Sequence, residues 1–166
     1  GDSERHGGLE ISSKVMRHLA FYLQGLAPPP ARDRDHAEGR QLFRKTGCAA
    51  CHREHFITGD THPLAALRGQ TIRPFTDLLL HDMGDGLADS MREGEANERE
   101  WRTAPLWGIG LTKIVSGHTY FLHDGRARNL MEAILWHGGE AQAARDTFAK
   151  LDKSDRAAIL AFLNAL

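Results

Sequence analysis

An all-α domain is the fold class that the sequence predicts. Three observations predict it: apolar residues recur at helical spacing near both ends of the chain, helix start and stop residues bracket those segments, and no stretch alternates convincingly as a strand. Residues 9–26 place Leu9, Ser12/Ser13, Met16, Leu19/Ala20 and Leu23 on one face, with Lys14, Arg17 and Gln24 largely elsewhere, which reads as an amphipathic helix. Pro28-Pro29-Pro30 stops it and forms a short stiff connector. Asp33 and Asp35 offer acceptors at the start of a second helix over about residues 35–45, where Gly39 and Phe43 share a face that a crossing helix can approach closely. Residues 53–110, rich in Gly, Asp and Pro, are expected to run as loops and short helices, and a loop region of that length is usually functional. Asn129 reads as an N-cap with Glu132 at the third helical position, opening a helix that Gly138-Gly139 closes. Two more helices are expected over residues 141–150 and 154–166, the last with an apolar stripe of Ala158, Ile159, Phe162, Leu163 and Leu166. No repeat is expected. The organisation is a helix and Pro-rich connector over residues 1–34, then the main domain over residues 35–166.

A chain of 166 residues buries one adequate core, so one such domain is the expectation. Acidic and basic residues balance at 22 against 21, which leaves no basic stripe for nucleic acid and no strong field toward a membrane surface. No apolar run reaches the length of a membrane span, and the amino end lacks the basic-then-apolar layout of an export signal.

Both cysteines of the chain fall in Cys48-Ala49-Ala50-Cys51-His52. On one helical turn, thiols at i and i+3 can each add to a haem vinyl group, and the imidazole at i+4 is carried beneath the iron. A thioredoxin-like redox pair would want a βαβ neighbourhood, and a zinc site would have to recruit histidines such as His55 and His62. The expected cofactor is therefore haem c, in a cytochrome c-like helical domain wrapped around one covalent haem by its long loops. Such attachment normally occurs outside the bacterial cytoplasm, so a periplasmic location is expected, and the missing export signal suggests a mature form or a piece of a longer protein. His52 supplies one axial ligand. The second is open among His81, Met83, Met91, His118, His123 and His137. His137 ends a capped helix just before two glycines, beside Leu135 and Trp136, whereas Met83 and Met91 lie in the loops where small monohaem cytochromes place a methionine.

Four segments carry a resemblance: residues 75–84 (FTDLLLHDMG), 101–107 (WRTAPLW), 120–125 (YFLHDG) and 130–139 (LMEAILWHGG). From about Ala37 onward the chain resembles the carboxy-terminal haem domain of the bacterial di-haem oxidoreductases, the thiol oxidoreductase-like branch related to di-haem cytochrome c peroxidases. The resemblance implies His137 as the distal ligand of a bis-His iron, because relatives place a Met or Tyr ligand at the matching position. It further implies a calcium ion on backbone carbonyls at Thr103 and Pro105, while Arg102 and Arg126 are candidates for the haem propionates. Relatives carry a second Cys-X-X-Cys-His in an amino-terminal domain, where catalysis takes place. The implied role is electron relay to that absent haem domain from an external redox partner protein; the rivals are a haem enzyme acting on peroxide or oxygen, and a free-standing electron-shuttle cytochrome.

Overall fold

Helix α1 spans Ser13–Gln24 in the computed structural model, which describes residues 11–166; Leu9, expected at the start of this helix, lies outside the described residues. The Ser12 hydroxyl caps it by accepting from the Val15 N–H at 3.3 Å. Five further helices follow: α2 (Ala37–Lys45), α3 (Thr112–Ser116), α4 (Leu130–Trp136), α5 (Gln142–Lys150) and α6 (Lys153–Ala165). The fold is helix-rich without being purely α, which corrects the expected class. Four short strands form two antiparallel ribbons, β1 (Phe56–Ile57) with β2 (Thr71–Ile72), and β3 (Leu80–Asp82) with β4 (Glu100–Arg102). Strands of two or three residues are too short to show a period of two, so the sequence carries no signal for them.

The core forms where α2 and α6 cross. Phe75 packs edge to face on Phe43 and on Phe162, which tilt against each other, with ring centroids 5.5 to 6.3 Å apart, and Phe148, Ile159, Leu163 and Leu166 join the cluster. Gly39 makes the crossing close: a Cβ there would lie 2.1 Å from the Ala158 carbonyl oxygen and 2.8 Å from Phe162 Cβ. A Gly39→Ala substitution is therefore expected to force α2 and α6 apart and to lower stability by about 2–3 kcal/mol, read as a lower urea midpoint with an unchanged slope. The carboxy-terminal end of α6 is held by the Arg32 N–H donating to the Ala165 carbonyl at 2.7 Å and the Gly108 N–H donating to the Leu166 carbonyl at 2.8 Å, which satisfies groups a helix end leaves free.

Asp33, expected to help start α2, instead takes the Arg73 guanidinium, and His36 stands before α2 with no side-chain cap. Arg73 also reaches Glu54 at 2.9 Å, and Glu54 receives Arg40 and Arg44 from α2. This ion cluster ties α2 to the segment after His52. The Asn129 cap stands as expected, accepting from the Glu132 N–H at 2.9 Å, while the Glu132 carboxylate takes the Arg128 N–H and guanidinium.

Candidate haem site

Helix α2 ends at Lys45, and Gly47, left-handed at φ 93°, turns the chain into a short 3-10 turn over Cys48–Ala50. The His52 N–H donates to the Cys48 carbonyl at 3.0 Å, so the two thiols and the imidazole occupy successive corners of one helical turn. Burial raises the pKa of the Cys48 thiol, partly offset by the Thr46 hydroxyl 3.3 Å away. Burial also raises that of Cys51, helped by the negative charges of Asp77 and Glu140. Redox-active thiol pairs need a lowered pKa, so this environment argues against the thioredoxin-like alternative.

The His52 Nδ1–H donates to the Phe75 carbonyl at 2.9 Å, which fixes the tautomer and leaves Nε2 as a free donor atom. Phe75 is left-handed at φ 54°, rare for a bulky residue, and this backbone turn points its carbonyl at His52 while its ring stays buried in the core. Phe43 supports the imidazole from the core side, at 6.2 Å between centroids. Burial pushes the His52 pKa down to about 4, with the charges of His137 and His81 adding to the effect, so the ring is neutral and ligand-competent at pH 7. This carries a stability consequence in the haem-free chain. The folded pKa is depressed, so the unfolded chain takes up the proton first; the contribution is complete above about pH 6.5 and is lost as the pH falls toward 4, up to about 3 kcal/mol. Urea titrations at pH 7 and pH 4.5 should show a smaller acid loss in a His52→Gln variant than in the parent.

His137 follows the last residue of α4, and its Nδ1–H donates to the Ala133 carbonyl at 2.7 Å, again leaving Nε2 free. Burial lowers its pKa as well. Its place is set by a backbone-to-backbone contact that only glycines permit: a Cβ on Gly139 would lie 2.1 Å from the Asp82 carbonyl oxygen, and one on Gly138 2.8 Å from that of Met83. The end of α4 is thereby docked onto the strand β3 segment.

His81 sits beside the Cys pair, its Nδ1 3.9 Å from Cys51 Sγ. Its Nε2–H donates to Asp77 at 2.9 Å and its Nδ1–H to Glu140 at 2.8 Å, and the hydrogen bond to Glu140, then that to Asp77, outweigh burial and raise its pKa. Cys51, Asp77 and His81 hold ligand atoms within 4.8 Å of one another, the one such group of three among the described residues. As a zinc site it is poor, since Cys48 is outside it and both His81 nitrogens are already hydrogen-bonded. His55 stands by Glu54 and His62 accepts from the Leu64 N–H, so neither joins that group.

The remaining candidates are dispersed. Met83 is half-buried on the backbone that meets Gly138, while Met91 is exposed. His118 stacks on Tyr120, and His123 stacks on Trp101 at 3.5 Å. Arg102 is exposed on β4, whereas Arg126 bonds Asp124 and the Gly86 carbonyl and covers the Trp136 ring at 5.1 Å. The Thr103 carbonyl accepts from the Thr76 hydroxyl at 2.6 Å, and Pro105 is half-buried just beyond it. The donor set fits haem: two thiols on one turn, two half-buried imidazoles with free Nε2 atoms, and apolar side chains left uncovered at Leu78, Leu79, Leu80, Leu135 and Trp136. Sequence reasoning did not assign a site role to Phe75, Ala133, Asp77 or Glu140, which orient the histidines.

No curated protein and no solved structure matches the chain. The family model described as "Di-haem oxidoreductase, putative peroxidase" matches residues 1–166. With a haem-competent site built on its single Cys-X-X-Cys-His, the chain belongs to the di-haem oxidoreductase family.

Proposed function

We propose that this chain is a c-type haem electron-transfer module, relaying electrons between a redox partner protein and the catalytic haem of a second domain. The observation that carries this reading is the pair of half-buried histidines, His52 and His137, each with Nδ1 committed to a backbone carbonyl and Nε2 left free. Haem bound there supplies a one-electron ferric/ferrous couple. Cys48 and Cys51 would hold it through thioethers, and His52 and His137 would supply imidazole nitrogens to its iron. Two imidazoles donate more strongly than imidazole with thioether, which favours the ferric state and a low potential. The second carbonyl-held imidazole favours His137 over Met83 or Met91.

The Phe75 and Ala133 carbonyls hold the imidazole tautomers, and the uncovered leucines and Trp136 would supply apolar cover for the ring. Arg102 and Arg126 are the residues we assign to the propionates. A calcium ion at Thr103 and Pro105 would share the Thr103 carbonyl with Thr76, whose hydroxyl already donates to it. We place haem loading in the periplasm, and we take residues 1–34 as a segment separate from the haem unit of residues 35–166. No helix among the described residues is long and apolar enough to cross a membrane.

The test is performed on haem-loaded protein. It should be reduced and reoxidised reversibly by redox dyes as a single one-electron centre, with no peroxide turnover above that of free haem. Peroxide consumption with saturation kinetics by this chain alone would favour the enzymatic reading instead.

A further inference from the structure

Helix α1 repeats the register of α6 at an offset of 140 residues, and the structure leaves it without the neighbours that α6 has. Ser12 and Asp152 are both N-caps whose side chains accept from the N–H three residues on, Val15 and Asp155. After them Leu19, Tyr22, Leu23 and Leu26 stand where Ile159, Phe162, Leu163 and Leu166 stand, and Gln24 stands where Asn164 does. The repeat escapes a search for identity because, from the caps onward, only Leu23/Leu163 and Leu26/Leu166 are identical. In α6 the four apolar positions are 0, 0, 5 and 1% exposed; in α1 they are 45, 63, 55 and 56% exposed, and α1 buries no residue.

What covers the α6 face is known: α2, approached at Gly39, with Phe43 one turn on, and Phe75, whose carbonyl holds the haem-binding histidine. That groove is filled by α6 in this chain. We infer that α1 is the closing helix of a second cytochrome-type haem unit, docking its Leu19-Tyr22-Leu23-Leu26 face onto a helix with a glycine and a phenylalanine four residues apart.

This rests on the proposed reading of the chain as one haem unit of a pair, and the di-haem family of a chain with one Cys-X-X-Cys-His supports it. Charge adds a further argument. Residues 11–32 contain Lys14, Arg17 and Arg32 but no Asp or Glu, so an acidic rim on the receiving unit would complement them.

The test grafts the sequence of residues 13–26 in place of residues 153–166 of the full chain, behind the native Asp152 cap. The graft is expected to load haem as the parent does, with a thermal midpoint lower by no more than roughly 8 °C. The same graft carrying aspartate at the places of Leu19 and Leu23 is expected to lose haem loading. In its native place, Leu23→Asp should leave loading and spectrum unchanged. A plain graft that does not load haem overturns the inference, as does an aspartate graft that loads equally well. A parent dimer in sedimentation that Leu19→Asp dissociates also overturns it, because the face then belongs to a second copy. These comparisons read helix packing, whereas failure of the electron-relay reading would appear in the redox titration and peroxide turnover of the parent.

Discussion

Replacing His137 with alanine is expected to turn a six-coordinate low-spin absorption spectrum into one with high-spin bands, while haem stays attached. The imidazole that His137 presents is held by the Ala133 carbonyl, half-buried, and kept from protonation by burial, so it is prepared to act as a ligand. Losing one of two strong donors also raises the potential, on the order of 100 mV within the roughly 0.8 V that axial ligands span. The opened position should bind cyanide and confer peroxide reactivity that the parent lacks. His137→Met should restore six-coordination at a potential above the parent's. Met83→Ala and Met91→Ala are expected to leave the parent spectrum intact, and a spectral change in either would transfer the assignment to that sulfur.

Substituting both cysteines, Cys48→Ser with Cys51→Ser, should abolish covalent haem. Under denaturing conditions the parent retains the macrocycle in its mass and the double variant does not. His52 and His137 remain in the variant, so added haem should still bind reversibly and be removed by acid extraction. The single variants should each keep one thioether. Because the 3-10 turn at Cys48–Ala50 is held by its own backbone hydrogen bonds, the loss should appear in haem retention before it appears in helix content.

How much of this site is legible in the sequence follows from how local each part is. The spacing of Cys48, Cys51 and His52 is one helical turn, and a turn can be read from five residues. The Asn129 cap and the glycine pair after His137 are local too, and both stand where the sequence places them. The Phe75 carbonyl that holds His52 lies 23 residues away and depends on a left-handed phenylalanine, which residue type does not signal. Burial of its ring among Phe43 and Phe162 offsets that backbone strain, and burial of this kind is a property of the assembled core. Asp33 shows the converse: its local pattern suits a helix start, but pairing with the distant Arg73 wins, and α2 begins without it. The cradle of Asp77 and Glu140 around His81 spans 63 residues of chain between the two acids, so only the fold brings it together.

Electron paramagnetic resonance of the natively matured ferric protein reads directly whether the iron is held between two imidazoles. A low-spin signal alone, unchanged on adding cyanide at modest concentration, is the predicted result. A dominant high-spin ferric signal that cyanide converts to low-spin would contradict it.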